Sequence, residues 1–331
     1  MKRLAVIQTA FPGDVILSTP VFESLKKAGH YVVAVVRPQA ESLIKHNPYI
    51  DIIISYDKKG GLLSFIKAVN QLRAAKCDTA LIIQGYYKSG LLPVYAGIDR
   101  RIGFDKAPAK FLYTDEVYYD RSHHHVKRCL SLCRGLSPTN GLHPKIFISE
   151  KERLEAQELL HSHDVKSDDF IVVAPGSIWP TKRWTGYKEL VGLIKSRMKY
   201  DIVLVGSDGD FQLCEDIRGN DKAINLAGKT DLLVSAAIVD KARLAITNDS
   251  APAHMAAAVG TPVVTIFGPT VPEFGYTPYS PKSVIVENKN LHCRPCSSHG
   301  PKKCPEKHFR CMNNITPEEV WTGCKTLLNI N

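Results

Sequence analysis

Three groups of residues in this 331-residue chain have the types and spacing for chemistry. Asp14 follows Gly13 after the apolar run Leu4–Thr9, and a carboxylate on such a loop can take a proton from an attacking hydroxyl. Gly176, Ser177 and, further on, Lys182 follow the apolar run Phe170–Ala174 and set a cation beside a turn. Asn248, Asp249 and Ser250 precede the helix-like run Ala253–Val259, with Pro252 in the first turn and Gly260 as the stop. The first N–H groups of such a helix can seat a phosphate, and Asp249 beside them can accept hydrogen bonds from sugar hydroxyls. Each group also has a plainer meaning. Asp14 can simply cap the helix that begins at Val15, Lys182 can be an exposed lysine next to a packing tryptophan, and 248–252 can be a capped helix start that holds nothing.

The elements that must position these residues read as strand and helix in alternation. Leu4–Thr9, Tyr31–Val36, Ile50–Ser55 and Thr79–Ile83 are apolar strand-like runs, and helical spacing lies between them, as over Leu62–Ala74. A section from Arg100 to Ser149 is less regular and holds His123, His124 and His125 at the entry of a helix expected over Val126–Gly135. Lys151–His163 reads as a bridging helix, and Phe170–Ala174, Ile202–Val205, Ala223–Leu226, Leu244–Thr247 and Val263–Phe267 as a second set of strands. The fold class is α/β, with parallel sheets in two tandem Rossmann-like domains, 1–150 and 151–331. Two open sheets in series place a cleft between them, and ligands of such sheets bind off the carboxyl ends of the strands, where Gly13, Asp14, Gly176, Ser177, 206–210 and 248–250 fall.

Composition narrows the function. Hydrophobic residues make up 44% and charged residues 23%, an ordinary globular balance. No apolar run reaches the ~18–20 residues of a membrane span, and the N-terminal run meets Gly13 and Asp14 too early for a signal peptide, so a cytoplasmic location is expected. Net charge is +10; residues 1–150 carry 21 Lys/Arg against 12 Asp/Glu, and residues 151–331 carry 22 against 21. The first half therefore faces something anionic or is merely a soluble basic surface. Basic and aromatic residues do not interleave, which argues against nucleic acid. The dinucleotide G-x-G-x-x-G, the P-loop, the G-x-S-x-G elbow and H-E-x-x-H are all missing.

The stretches 11–20 (FPGDVILSTP), 174–184 (APGSIWPTKRW) and 248–270 (NDSAPAHMAAAVGTPVVTIFGPT), in that order and spacing, resemble the bacterial ADP-heptose:lipopolysaccharide heptosyltransferases, glycosyltransferase family 9. The closing CRPC…KKCPEKHFRCM segment fits the same family, so the resemblance runs over nearly the whole chain. It implies a GT-B architecture, with a C-terminal helix (Thr316–Leu328) returning to the first domain. It implies inverting, metal-independent transfer of heptose from ADP-heptose to the lipopolysaccharide inner core, with Kdo–lipid A or a core heptose as acceptor and no required cofactor. Asp14 matches the family's catalytic base, Lys182 its donor-binding lysine and Asp249 the aspartate at donor sugar and phosphate; Gly176, Ser177, Thr181, Ser250, Ala251 and His254 complete the expected donor site. Ala251 stands where the family often has glycine, which leaves room for another nucleotide sugar. A non-catalytic anion-binding module is the rival from a different class.

The acceptor side has no matching block. Gly13, Arg100, Arg101, Lys127 and Arg128, with Lys106 and Lys110, are the candidates for acceptor phosphates and carboxylates or for an anionic inner-membrane surface on which the protein would sit peripherally. Cys293, Cys296, Cys304 and Cys311 have the spacing C-x2-C-x7-C-x6-C, which contains half a zinc site but is irregular beyond it. Reduced thiols packing a loop is the expectation, with structural zinc as the alternative and no metal in catalysis.

Overall fold

A computed structural model describes residues 1–165, 169–219 and 223–330. The chain divides into two units, Met1–Phe147 and Ile148–Asn331. In the first unit the elements are β1 (Arg3–Gln8), α1 (Pro12–Lys27), β2 (Tyr31–Val36), α2 (Pro38–Ile44), β3 (Ile52–Ser55), α3 (Gly61–Ala74), β4 (Thr79–Ile82), α4 (Tyr87–Tyr95), β5 (Arg100–Phe104), β6 (Asp115–Val117) and α5 (His125–Ser131). They form one sheet in the order β3-β2-β1-β4-β5-β6, with every pairing parallel. Leu4 to Ile7 of β1 and Val32 to Val36 of β2 are fully buried, as expected of strands covered on both faces.

The second unit repeats that order. Its elements are α6 (Glu150–His161), β7 (Phe170–Ala174), α7 (Tyr187–Arg197), β8 (Asp201–Leu204), α8 (Phe211–Arg218), β9 (Ile224–Asn225), α9 (Leu232–Lys241), β10 (Leu244–Asn248), α10 (Ala251–Val259), β11 (Val263–Phe267), β12 (Ser283–Glu287), α11 (Arg310–Asn313) and α12 (Pro317–Leu328). The sheet runs β12-β11-β10-β7-β8-β9, again parallel throughout. In each unit the strand order reverses direction next to the first strand, between β1 and β4 and between β7 and β10. Such switch points open a crevice at the carboxyl edge of a doubly wound sheet.

Helix α12 packs on α7, β10, β11 and β12 of its own unit, with Val320, Trp321 and Cys324 buried in that core. One expectation changes here. The stretch read as irregular, 100–149, contains β5 and β6 and a short α5 rather than a long helix to 135. Gly103 in β5 is roofed by the Tyr113 ring, 2.2 Å from where a Cβ would stand, so that strand needs glycine for contact rather than for a turn.

Helix α1 is buried on most of its circumference and carries a carboxylate inside, Glu23, which is only 3% exposed. Lys27 Nζ lies 2.7 Å from Glu23 Oε1, and Lys145 Nζ lies 3.0 Å from Oε2. Burial acts to raise the Glu23 pKa, but the hydrogen bonds and charges of Lys27 and Lys145 outweigh it and hold the carboxyl below its ordinary 4.5. The folded pKa is thus lower than the unfolded one. The stabilisation is complete above that ordinary value and is lost as pH falls through the lower folded value. Glu23→Gln is expected to cost about 1–2 kcal/mol at neutral pH and nothing once the native carboxyl is protonated; urea denaturation at neutral and acid pH reads the difference.

Candidate active site

In the second unit, the switch point gathers the donor-side residues. Asn248, the last residue of β10, is fully buried and fixes the neighbouring loop by three hydrogen bonds. Its Nδ2 donates to the Pro175 carbonyl at 2.7 Å, and its Oδ1 accepts from Trp184 N–H at 3.1 Å and Tyr187 O–H at 3.0 Å. The loop so held, 175–184, carries Lys182 to Asp249, and Lys182 Nζ donates to Asp249 Oδ2 at 2.5 Å. Both are over nine-tenths buried. Thr270 Oγ1 donates to the same oxygen at 2.6 Å, and the Thr270 carbonyl accepts from the buried Arg294 guanidinium at 2.7 Å, which pairs in turn with Glu287 at 2.8 Å. A run of charge and hydrogen bonds, Glu287–Arg294–Thr270–Asp249–Lys182, therefore sets the ammonium at the β7/β10 crevice beside the start of α10. A desolvated cation next to a helix N-terminus is a seat for a diphosphate.

The other expected donor residues frame this seat. Ser250 is the extended cap of α10, Ala251 its first residue, and His254 is buried within it. Ser177 Oγ accepts from Trp179 N–H at 3.2 Å, and Thr181 donates to the Pro301 carbonyl. Gly176 has no room for a side chain: a Cβ there would stand 2.5 Å from the Asp210 carboxylate. Asp210 itself accepts from Ser207 N–H at 3.0 Å and Oγ at 2.6 Å and pairs with Arg183 at 3.3 Å, so its carboxylate ties the loops after β7 and β8 together.

The cysteine segment forms a wall of the same site. Cys296 N–H donates to the Pro269 carbonyl at 2.9 Å, and His299 lies against the Trp179 ring at 4.6 Å. Gly300, at φ +85°, sits 3.3 Å in Cβ terms from the Lys182 stem. Cys296 Sγ donates to the Cys293 carbonyl at 3.3 Å, and burial pushes the Cys311 thiol up to about 11, with the Cys296, Cys304 and Cys293 sulfurs adding to it. All nine cysteines are free, and among the described residues no group of three or more His, Cys, Asp or Glu is arranged to hold a metal ion.

In the first unit, Asp14 stands in the first turn of α1, and the Phe11 N–H donates to its Oδ2 at 3.3 Å. Gly13 is buried beside it. Burial pushes the Cys129 thiol on α5 well up, and the Asp14 carboxylate adds to that, so Asp14 looks toward α5. His124 is the cap of α5, accepting from Val126 N–H at 3.2 Å, which accounts for the histidine run as a helix entry.

The basic residues expected to hold the acceptor are dispersed. Arg100 and Arg101 begin β5 and so lie at the amino edge of the sheet, away from the edge where ligands bind. Arg100 pairs with Asp115 at 3.0 Å, and Arg101 donates to the carbonyls of Leu112, Ile98 and Asp99. Arg128 is buried with its guanidinium over the Tyr119 ring, and Lys110 pairs with Glu116 at 3.6 Å. Lys127 is exposed on α5. Basic residues meet elsewhere: Arg37, Lys58 and Lys88, with Thr9, Phe11 and Tyr86, line a cavity of about 360 Å³ at the β1/β4 switch point. Burial pushes Lys58 down to about 8, with the Arg37 and Lys88 charges adding to the effect, as in a site built for an anion. Each of the three follows a different strand, so it is the strand order that brings them together.

Two parallel six-stranded sheets of one strand order, each with a polar crevice at its switch point, define an α/β architecture of paired Rossmann-like units. The model of glycosyltransferase family 9 (heptosyltransferase) matches residues 65–308. The chain belongs to that family and is a glycosyltransferase of the GT-B fold. It is 27% identical to lipopolysaccharide heptosyltransferase 2 of Escherichia coli K12, over 98% of both chains. A family 9 glycosyl transferase from Veillonella parvula superposes with TM-score 0.86 at 26% identity, covering 99% of this chain and 97% of that one. The E. coli ADP-heptose lps heptosyltransferase II gives 0.81 at 24% identity, covering 99% of each chain.

Proposed function

We propose that the protein transfers heptose from ADP-heptose to a sugar of a lipopolysaccharide core, Kdo or heptose, in a single inverting displacement that needs no metal ion. The observation that carries the reading is the buried Lys182–Asp249 pair at the second switch point, beside α10. Lys182 and the first N–H groups of α10 would take up the charge that develops on the departing diphosphate, and Asp249, held by Thr270, would accept donor sugar hydroxyls. Gly176, Ser177, Thr181, Ser250, Ala251 and His254 would shape the donor seat. Asp14 would remove the proton of the acceptor hydroxyl as its oxygen attacks the anomeric carbon. Arg37, Lys58 and Lys88 replace Arg100, Arg101 and Arg128 as the residues that would bind the acceptor's phosphates or carboxylates. A core acceptor is lipid-linked, so the protein would work at the cytoplasmic face of the membrane; no helix among the described residues is long and apolar enough to cross it.

The test is a melting-temperature panel with ADP, ADP-heptose and UDP- and GDP-sugars, followed by mass spectrometry of two acceptors, Kdo–lipid A and the same lipid already carrying one heptose. The adenine nucleotides alone are expected to stabilise, by about 2.7 kcal/mol at a hundredfold excess over the dissociation constant, and one of the two acceptors to gain one heptose. A larger shift with a UDP- or GDP-sugar would assign a different donor, and no mass gain on either acceptor would defeat the reading.

A further inference from the structure

The exposed apolar surface is concentrated on the first unit. Among the described residues, eleven of the fourteen large hydrophobics that face solvent belong to that unit, and Leu62 and Leu63 are 71% and 82% exposed in a single turn of α3. Ile66 follows on the next turn. Behind this turn a groove of about 640 Å³ runs between α3 and α4, lined by Leu62, Phe65, Ile66, Val69, Leu91 and Tyr95. Tyr86, Tyr87 and Phe111 are exposed on the same unit, and Tyr87 lies against Phe111 at 6.1 Å. The stretch 58–95, which holds both helices, carries Lys58, Lys59, Lys67, Arg73, Lys76 and Lys88 against Asp78 alone.

We infer that this face of α3 and α4 docks on an anionic phospholipid bilayer, with Leu62, Leu63 and Ile66 entering the acyl boundary. The chemistry matches layer by layer. Aliphatic tips gain by leaving water for the acyl region, tyrosines settle at the headgroup level, and lysines reach lipid phosphates with their stems along the apolar surface. The cations of 58–95 argue against the rival occupant, a second copy of this chain, since a twofold contact would press like charges together. Lys88 lines both this groove and the anion cavity at the first switch point. A lipid-linked acceptor lying in the membrane would thus meet the cavity directly, a deepening that rests on the proposed function only in its purpose.

Flotation of the 331-residue chain with phosphatidylglycerol-containing and phosphatidylcholine-only vesicles tests the docking. Binding is expected with the anionic vesicles alone and is expected to weaken with salt. The exposed-site triple variant Leu62→Ser/Leu63→Ser/Ile66→Ser is expected to lose about tenfold or more in vesicle partition, and Lys59→Glu/Lys67→Glu a comparable amount on anionic vesicles, both with unchanged melting temperature. Transfer to an acylated acceptor in vesicles should fall in parallel, while transfer to a deacylated acceptor in water is kept. Equal binding to neutral vesicles, full partition by the triple variant, or a concentration-dependent dimer that the triple variant abolishes would each overturn the inference. Vesicle binding without any transfer would leave the docking intact and refute the proposed activity; transfer without vesicle binding would do the reverse.

Discussion

Asp14→Asn is expected to reduce turnover by about 10²–10⁴-fold while the ADP-induced rise in melting temperature stays as in the wild type. An amide is isosteric with the carboxylate but cannot take a proton, so chemistry is removed and shape is kept. The structural role of the residue survives the change, because the Phe11 N–H that donates to Oδ2 can be accepted by the amide oxygen. Loss of the helix-capping interaction is therefore small, below about 1 kcal/mol. The proposed donor seat lies in the other unit and should not respond. Steady-state transfer rates beside thermal denaturation separate the two effects. Retained turnover would show that another group is the base.

Lys182→Met carries the second large effect, and on a different observable. The methionine keeps most of the stem but leaves the Asp249 carboxyl over nine-tenths buried with its ammonium partner gone. Breaking one side of a buried pair costs about 3–5 kcal/mol, softened here by the Thr270 hydroxyl that still donates to the carboxylate. The same substitution should abolish the ADP-dependent stabilisation. Adding Asp249→Asn removes the stranded charge, so the double variant is expected to regain most of the lost stability and none of the nucleotide response. Urea denaturation with and without ADP reads both outcomes. A Lys182→Met protein that still gains stability from ADP would remove the lysine from the donor site.

The parts legible in the sequence are those written in local chemistry. The stretch 248–270 announces its own turn, helix and strand: Ser250 caps, Pro252 sits in the first turn, Gly260 stops the helix at φ 89°, and Val263–Phe267 is a buried strand. Asp14, Lys182 and Asp249 could be picked out because each lies just past such a signal. What stayed hidden depends on strand order. Arg37, Lys58 and Lys88 follow β2, β3 and β4, and only the arrangement β3-β2-β1-β4 makes their loops neighbours. Arg100 and Arg101 looked like a basic patch because sequence does not say which edge of a sheet a residue occupies. Two edge strands, β6 and β12, escape the sequence for a related reason. Asp115–Val117 is three residues with two carboxylates, and its strand character comes from β5 beside it rather than from any pattern of its own. Asp210 ties Ser207 and Arg183 together across two loops, a role that no local pattern announces.

The interleaved strand order also governs the birth of the protein on the ribosome. Leu4 cannot complete its ladder until Thr79 has been made, and Ile171 waits for Leu244 in the same way. Pairings so distant along the chain form slowly and leave apolar edges open to other chains in the interval. All six strands of the first sheet, however, are present once Val117 has emerged. The leading half can therefore close on itself before the trailing half exists, and slowing translation by cooler growth should raise the yield of native material.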